Sequence, residues 1–345
     1  MKPAISPVHR GRLSIVACNS GKLFASRVEK GLIDLIHNED GVVEPVIRQS
    51  QEITFANGEV KTVIEENIRG DDVYVFQGLD DPLSDKTVND NLMALVTATN
   101  AVYQSDPDCI TAVIPQFPYS RQERKKAREP ITARLVANLL ESAGADRVIT
   151  LDIHAEAIEG FFQRAILEDL HASKALIAFI EAHISKKNLC IVAPDTGGAD
   201  MARYYSNQFQ CALAVVDKAR DYSKTSVVES MRLVGDVEGK RILMPDDLIA
   251  TGGTLINACR LLKEHGAAEI FLACSLPFFN GNATEKLDKA HEEGLFELLI
   301  GTDAVIHGDA FAKAHPWYRE VSVADLFAHV LFNINRKRSV SALLK

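Results

Sequence analysis

The sequence contains no apolar run approaching the roughly 20 residues that span a bilayer, and no secretory signal pattern opens it. The short stretch Lys187 to Val192 fills neither role. Its six cysteines (Cys18, Cys109, Cys190, Cys211, Cys259 and Cys274) are scattered without a CxxC pair, and several fall in apolar, strand-like runs. That spacing predicts buried free thiols in a reducing compartment rather than disulfides, and the expected location is cytoplasmic, with no membrane partner. There is no clear Gly/Ser-rich linker, no low-complexity segment and no close internal repeat. Positive charge is also in short supply: 38 Lys and Arg against 47 Asp and Glu leave a formal net charge of −9. A general basic field for nucleic acid is thereby excluded. What remains, 345 residues with 47% hydrophobic and 25% charged composition, suits a globular protein of about two domains.

Short apolar runs alternate with amphipathic stretches along nearly the whole chain. Strand-like runs stand at Leu13 to Ala17, Val73 to Phe76, Ile110 to Ile114, Arg147 to Leu151, Cys190 to Ala193, Ala212 to Val216, Ile242 to Met244 and Ile270 to Cys274. Helical periodicity marks Lys22 to Ile36, Asn91 to Gln104, Pro130 to Ser142 and Leu255 to His265. This alternation is the signature of βαβ units and parallel sheets, and it predicts an α/β fold with two similar halves meeting near residue 170. Ligands of such folds gather at the carboxyl ends of strands.

The most informative stretch is Ile242 to Thr254. A buried-strand run leads into Asp246 and Asp247 at or near its end, and Thr251-Gly252-Gly253-Thr254 then opens an amphipathic helix. Glycines let the backbone turn tightly, so amide groups and threonine hydroxyls can converge on one phosphate at a helix N-terminus. The paired carboxylates can meet sugar hydroxyls directly or through a hard cation such as Mg²⁺. An ordinary strand–turn–helix with solvated acids is the plain alternative. Asp195-Thr196-Gly197-Gly198 repeats the same logic of strand, acid and glycine turn. Arg121 to Arg128 and Lys218 to Lys224 are basic clusters in an acidic chain, which suits an anionic small molecule better than a polymer, with a solvated charged face as the plain alternative for each cluster taken alone. His154 follows the strand run ending at Leu151, where a lone histidine is more often structural than a ligand. Phe55, Asn57 and Glu59 flank an Asn-Gly turn; Phe55 can stack on a flat base and the other two can bond its edge, although by itself the pattern reads first as an ordinary hairpin.

In combination the motifs say more. The TGGT stretch resembles the phosphoribosyl-pyrophosphate loop of the type I phosphoribosyltransferase fold. FANGEV, NIRGDD, NDNLM, YSRQERK, REPITA, LDIHAE, EGFF, APDTGG, VVDKAR, GDVEGK and DDLIATGGT occur in the order seen in the ribose-phosphate pyrophosphokinase family, and the resemblance spans about Ile15 to Ala342. It implies two phosphoribosyltransferase-like domains, residues 1–169 with 321–345 and residues 170–320, each a parallel sheet flanked by helices. The implied reaction moves a diphosphate from MgATP to the anomeric hydroxyl of ribose 5-phosphate, releasing AMP. By resemblance, Phe55, Asn57 and Glu59 receive adenine across a subunit interface, and Arg121 and Gln122 contact ATP phosphates. His154 and Asp195 help place the metal–triphosphate, and Thr196, Gly197 and Gly198 frame the pyrophosphate. Asp246 and Asp247 hold ribose hydroxyls; Thr251, Gly252, Gly253 and Thr254 hold the 5-phosphate; Lys218 and Arg220 form the catalytic-loop pair. The family further implies a homohexamer built from dimers, with a phosphate/ADP site involving Arg69, Ser339 and Ser341.

Four positions depart from the family pattern: Asn57 for an aspartate, Ala250 for an acid, a shortened Arg124 to Arg128 segment, and Leu276 for a histidine. Asn57 bears on base choice and Ala250 on the sugar substrate. Two alternatives follow: the same transfer onto a different 5-substituted ribose, or a non-catalytic family member that regulates an active enzyme. Retention of Lys218, Arg220, His154, Asp195 and the Asp246-Asp247 pair argues against the second.

Overall fold

The computed structural model describes residues 10–41, 46–220 and 229–343. The chain divides into two compact units: one comprises the chain up to His171, Ala304–Ile306 and the segment from Ser322 onward; the other comprises Ala172–Asp303 and His307–Val321.

The first unit contains β1 (Leu13–Ala17), α1 (Lys22–Asp40), β2 (Ser50–Thr54), β3 (Val60–Ile64), β4 (Asp72–Phe76), α2 (Val88–Tyr103), β5 (Cys109–Val113), α3 (Thr132–Ala143), β6 (Arg147–Leu151) and β7 (Ile166–Leu170). Its five-stranded sheet runs β1-β4-β5-β6-β7, parallel throughout. Every residue of β1, β4, β5 and β6 is buried. Packing on both faces of a parallel sheet is why these strands read as continuous apolar runs. α2 starts at Val88, three residues before the periodicity becomes visible at Asn91. The cause is a capping box: Thr87 Oγ1 accepts from the Asp90 amide at 3.2 Å, and the Thr87 amide donates to Asp90 Oδ2 at 2.8 Å. β2 and β3 form the expected antiparallel hairpin, closed by the Phe55 amide donating to the Glu59 carbonyl at 2.8 Å. Gly58 sits at φ +88°, in the left-handed region that glycine adopts without steric cost.

The second unit contains α4 (Ser173–His183), β8 (Leu189–Ala193), α5 (Ala199–Phe209), β9 (Ala212–Arg220), β10 (Glu229–Val234), β11 (Arg241–Ile249), α6 (Gly253–Glu264), β12 (Glu269–Pro277), α7 (Ala283–Glu292), β13 (Leu298–Thr302), α8 (Asp309–Ala314) and β14 (Tyr318–Val321). Its sheet runs β10-β9-β8-β11-β12-β13-β14, parallel except for β10, which pairs antiparallel with β9. Strand order reverses at β8, whose neighbours are β9 on one side and β11 on the other. This is a topological switch point, where open α/β sheets form a crevice beyond the strand ends.

The last helix, α9 (Ala324–Asn335), belongs to the first unit and packs on α1. Phe24 and Phe327 meet edge to face, with ring centroids 5.0 Å apart. A Cβ at Gly31 would lie 3.0 Å from Ala328 Cβ, so glycine permits the close helix approach. Asn335 Nδ2 donates to buried Asp72 Oδ2 at 3.0 Å, tying the helix end to β4. All six cysteines are free thiols, five of them buried, and burial pushes Cys109 up to about 11 and Cys259 up to about 12. Among the described residues, no helix is long and apolar enough to cross a membrane.

Candidate active site

At the switch point of the second unit, β8 and β11 pair only from Leu189↔Arg241 to Ile191↔Leu243, whereas β11 stays paired with β12 as far as Ile249↔Pro277. β8 and β11 therefore separate just where the functional motifs begin. Asp246 and Asp247 lie within β11, which continues to Ile249 because β12 supplies it with a full-length neighbour; the strand does not stop at Met244 as its apolar run suggests. On the other lip, Asp195 Oδ1 accepts the amides of Gly197 and Gly198 at 2.9 and 3.2 Å. Two backbone donors of that turn thus converge on one anionic oxygen immediately before α5.

Gly252, at φ +70°, is the N-cap of α6, and no side chain caps that helix. The helix has no acid in its first turn, so the positive end of its dipole keeps its pull on an anion. Thr251 and Thr254 are exposed beside it. The approach to this turn is held from behind: the Phe279 amide donates to the Ile249 carbonyl at 3.1 Å and the Asn280 amide to the Ala250 carbonyl at 2.9 Å. Phe279 takes φ +51° to do so, and its buried ring stacks on His307 at 4.9 Å.

Burial, then the charge and hydrogen bond of Asp247, then the charge of Asp195, push the Asp246 carboxyl well above the ordinary carboxylate range. Sugar hydroxyls or a hard divalent cation would relieve that repulsion. Among the described residues no three His, Cys, Asp or Glu side chains form a metal-holding group. A cation that keeps its waters and is shared with phosphates needs no such cage, and this oxygen donor set fits it.

The first unit carries a separate cleft of about 390 Å³ lined by Arg121, Gln122, Glu123, Arg124, Lys126, Glu129, Pro130 and His154. Three cations and an imidazole face two acids there. The loop is braced by Thr132 Oγ1 donating to Gln122 Oε1 at 2.6 Å and by the Gln122 amide donating to the Tyr119 carbonyl at 2.9 Å. Arg124 is 3.2 Å from Glu123. Phe55, Asn57 and Glu59 are not among the cleft residues; they sit at the exposed hairpin tip, where 48% of Phe55 is open to solvent and Asn57 Oδ1 accepts the Glu59 amide at 3.2 Å.

Lys218 and Arg220 fall at the end of β9, opposite Met231 and Glu229 of β10, so the strand runs on past the apolar run that ends at Val216. Residues 221–228 of the basic cluster lie outside the described residues. Arg69 pairs with Asp106 at 3.2 Å, both well exposed, and the Ser341 amide donates to Ser339 Oγ at 3.3 Å. The residues behind His154, Asp169 and His171, carried no local signal in the sequence.

Residues 13–144 match the family described as the N-terminal domain of ribose phosphate pyrophosphokinase, and residues 163–311 match the phosphoribosyl transferase domain. The chain is 41% identical over 290 residues to the ribose-phosphate pyrophosphokinase of Maricaulis maris, covering 84% of this chain and 89% of the relative. It is 39% identical over 290 residues to ribose-phosphate pyrophosphokinase A of Dictyostelium discoideum, covering 84% and 87%. The chain belongs to the ribose-phosphate pyrophosphokinase family. Members of that family are diphosphotransferases. The solved phosphoribosylpyrophosphate synthetase of Mycobacterium smegmatis superposes with a TM-score of 0.81 at 31% identity, covering 94% of this chain and 98% of the other. The two phosphoribosyltransferase-like sheets of the ribose-phosphate pyrophosphokinase fold are therefore the two units described above.

Proposed function

We propose that this chain transfers the β,γ-diphosphate of MgATP to the 1-hydroxyl of ribose 5-phosphate, giving phosphoribosyl pyrophosphate and AMP. The observation that carries the reading is the switch-point crevice, where an uncapped helix N-terminus and a carboxylate pair stand side by side on one strand–turn–helix. Thr251, Gly252, Gly253 and Thr254 bind the 5-phosphate through amides and hydroxyls, and Asp246 and Asp247 take the ribose hydroxyls. Thr196, Gly197 and Gly198 receive the pyrophosphate, and Asp195, whose Oδ1 accepts the Gly197 and Gly198 amides, would hold the cation. Bound Mg²⁺ would neutralise phosphate charge and lower the pKa of the attacking hydroxyl.

Arg121 and Gln122 grip the ATP phosphates in the basic cleft. His154, paired with Asp195 at the metal in the expected scheme, carries an imidazole, which suits hydrogen bonding to phosphate oxygen better than ligating so hard a cation. Attack of the sugar oxygen on the β-phosphorus spreads negative charge over nonbridging oxygens and the departing AMP. Positioning and cation stabilisation then dominate catalysis. Lys218 and Arg220, two residues apart in the sequence, supply the two cations for those oxygens.

Phe55, Asn57 and Glu59 stack on and bond the adenine of a neighbouring copy, which the exposed hairpin tip supports, and dimers so linked assemble into a homohexamer. Arg69, Ser339 and Ser341 belong to a phosphate/ADP regulatory site; ADP inhibition that stays purely competitive with ATP at every phosphate concentration would exclude it. A second reading, transfer to a differently 5-substituted ribose, rests on Ala250, which puts a methyl group at the entry to the TGGT turn. AMP release measured with and without ribose 5-phosphate tests the main reading. Strict dependence on that sugar supports it; sugar-independent release, or ADP as product, opposes it.

A further inference from the structure

β7 ends in Asp169 and Leu170, His171 follows it directly, and all three reach back to the turn that follows β6. The Asp152 amide donates to the Leu170 carbonyl at 2.8 Å, the Ile153 amide donates to Asp169 Oδ1 at 3.0 Å, and His171 Nδ1 lies 2.9 Å from Asp152 Oδ1. Asp152 is 9% exposed and takes φ +42°, a left-handed conformation that a non-glycine residue holds only when its surroundings fix it. The next side chain after this fixed pair is His154, which opens into the basic cleft beside Arg121, Arg124 and Lys126. The Ile153 amide is the one Asp169 holds, so the residue between this pair and His154 is tethered as well. The two acids and the histidine have no place in the cleft lining themselves.

We propose that Asp169 and His171 are positioning residues: through Asp152 and Ile153 they fix the backbone that aims His154 into the cleft. The inference rests on the reading of that cleft as the ATP phosphate site. Its logic is geometric. An imidazole must be held within a few tenths of an ångström of its partner to bind one phosphate oxygen selectively. Three tethers on two consecutive residues supply that restraint, at the expense of one strained backbone angle.

The test compares Asp169→Ala, Asp169→Asn, His171→Ala and His171→Gln in the full-length protein. Three readouts are followed: KM for ATP, KM for ribose 5-phosphate, and the side-chain NMR signal of His154, assigned by its loss in His154→Gln. Asp169→Ala removes the acceptor for the Ile153 amide. It should raise KM for ATP about tenfold or more, leave KM for ribose 5-phosphate within about twofold, and shift or broaden the His154 signal. Asp169→Asn keeps an amide oxygen for the same bond and should restore KM for ATP to within about twofold of the parent. His171→Gln, which can still donate to Asp152, should likewise outperform His171→Ala. An unchanged His154 signal in both alanine variants would overturn the proposal, as would an equal rise in both KM values. If either alanine variant fails to fold, the Gln or Asn partner and the other site carry the comparison. Should the parent form no AMP while Asp169→Ala still moves the His154 signal, the reading of the cleft fails and the positioning role stands.

Discussion

Gly252 offers a test of the TGGT turn that separates backbone strain from steric clash. Its φ of +70° belongs to the left-handed region, while a Cβ built there would meet only Ile256 and Leu287 side-chain atoms, at 3.8 Å. Gly252→Ala therefore adds no clash, and its whole cost is conformational, about 1–2 kcal/mol. That cost must appear in one of two places. If the turn stays in its native conformation, stability falls, and for a unit of this size Tm drops by about 2–8 °C. If the turn relaxes on its own, Tm is spared and KM for ribose 5-phosphate rises by about 5- to 30-fold, because binding must restore the strained form. Gly253 is the internal control: it is helical, its Cβ would meet nothing within 4 Å, and Gly253→Ala should hold or raise Tm. Differential scanning fluorimetry and initial-rate kinetics on the two variants suffice. Gly252→Ala with Tm and KM both unchanged would refute the claim that the turn needs a left-handed residue.

Three further predictions concern the other parts of the account. Lys218→Ala should lower kcat by two or more orders of magnitude with a smaller change in KM, and adding Arg220→Ala should cost less than the sum of the single changes; kcat within about twofold of the parent would remove both from the catalytic assignment. Mixing a Phe55→Ala chain with a Lys218→Ala chain should recover activity that neither has alone, since a shared site regains one intact copy; no recovery on forming mixed oligomers would refute adenine binding across subunits. Burial, aided by the charge of Asp152, pushes Asp169 up to about 7, so the folded state keeps a proton that the unfolded chain has lost. Stability from this group is therefore present at pH 4 and lost as pH rises to about 7. Asp169→Asn does not titrate, so its Tm advantage over the parent should grow between pH 4 and pH 7 and level off above, as read in a Tm series across buffers; a constant difference would contradict the sign.

Much of this fold is legible in the sequence for one reason: strands buried on both faces must be apolar throughout. β1 and β6 begin and end where their runs do. β7 and β14 escape that logic, because Ile166–Leu170 carries Glu168 and Asp169 and the four residues of β14 carry Arg319 and Glu320. β10 is equally polar, and it is ordered by pairing with β9 rather than by its own pattern. At the site, the glycine turns and the acid pair announce themselves because their chemistry is local. The separation of β8 from β11 does not, since it depends on which strands become neighbours. Neither does the bracing of Ala250 by Asn280, or the hold of Asp169 and His171 on the residues before His154; each is a contact between segments far apart in the chain.

The central claim is that a diphosphate, and not a single phosphoryl group, moves from ATP to the sugar. The most direct measurement is ³¹P NMR of purified protein with Mg²⁺, ATP and ribose 5-phosphate, following every phosphorus to its product. The account predicts equal amounts of AMP and of a sugar that keeps its 5-phosphate and gains a diphosphate on C1. ADP with a singly phosphorylated C1, or free pyrophosphate with an unchanged sugar, would contradict it.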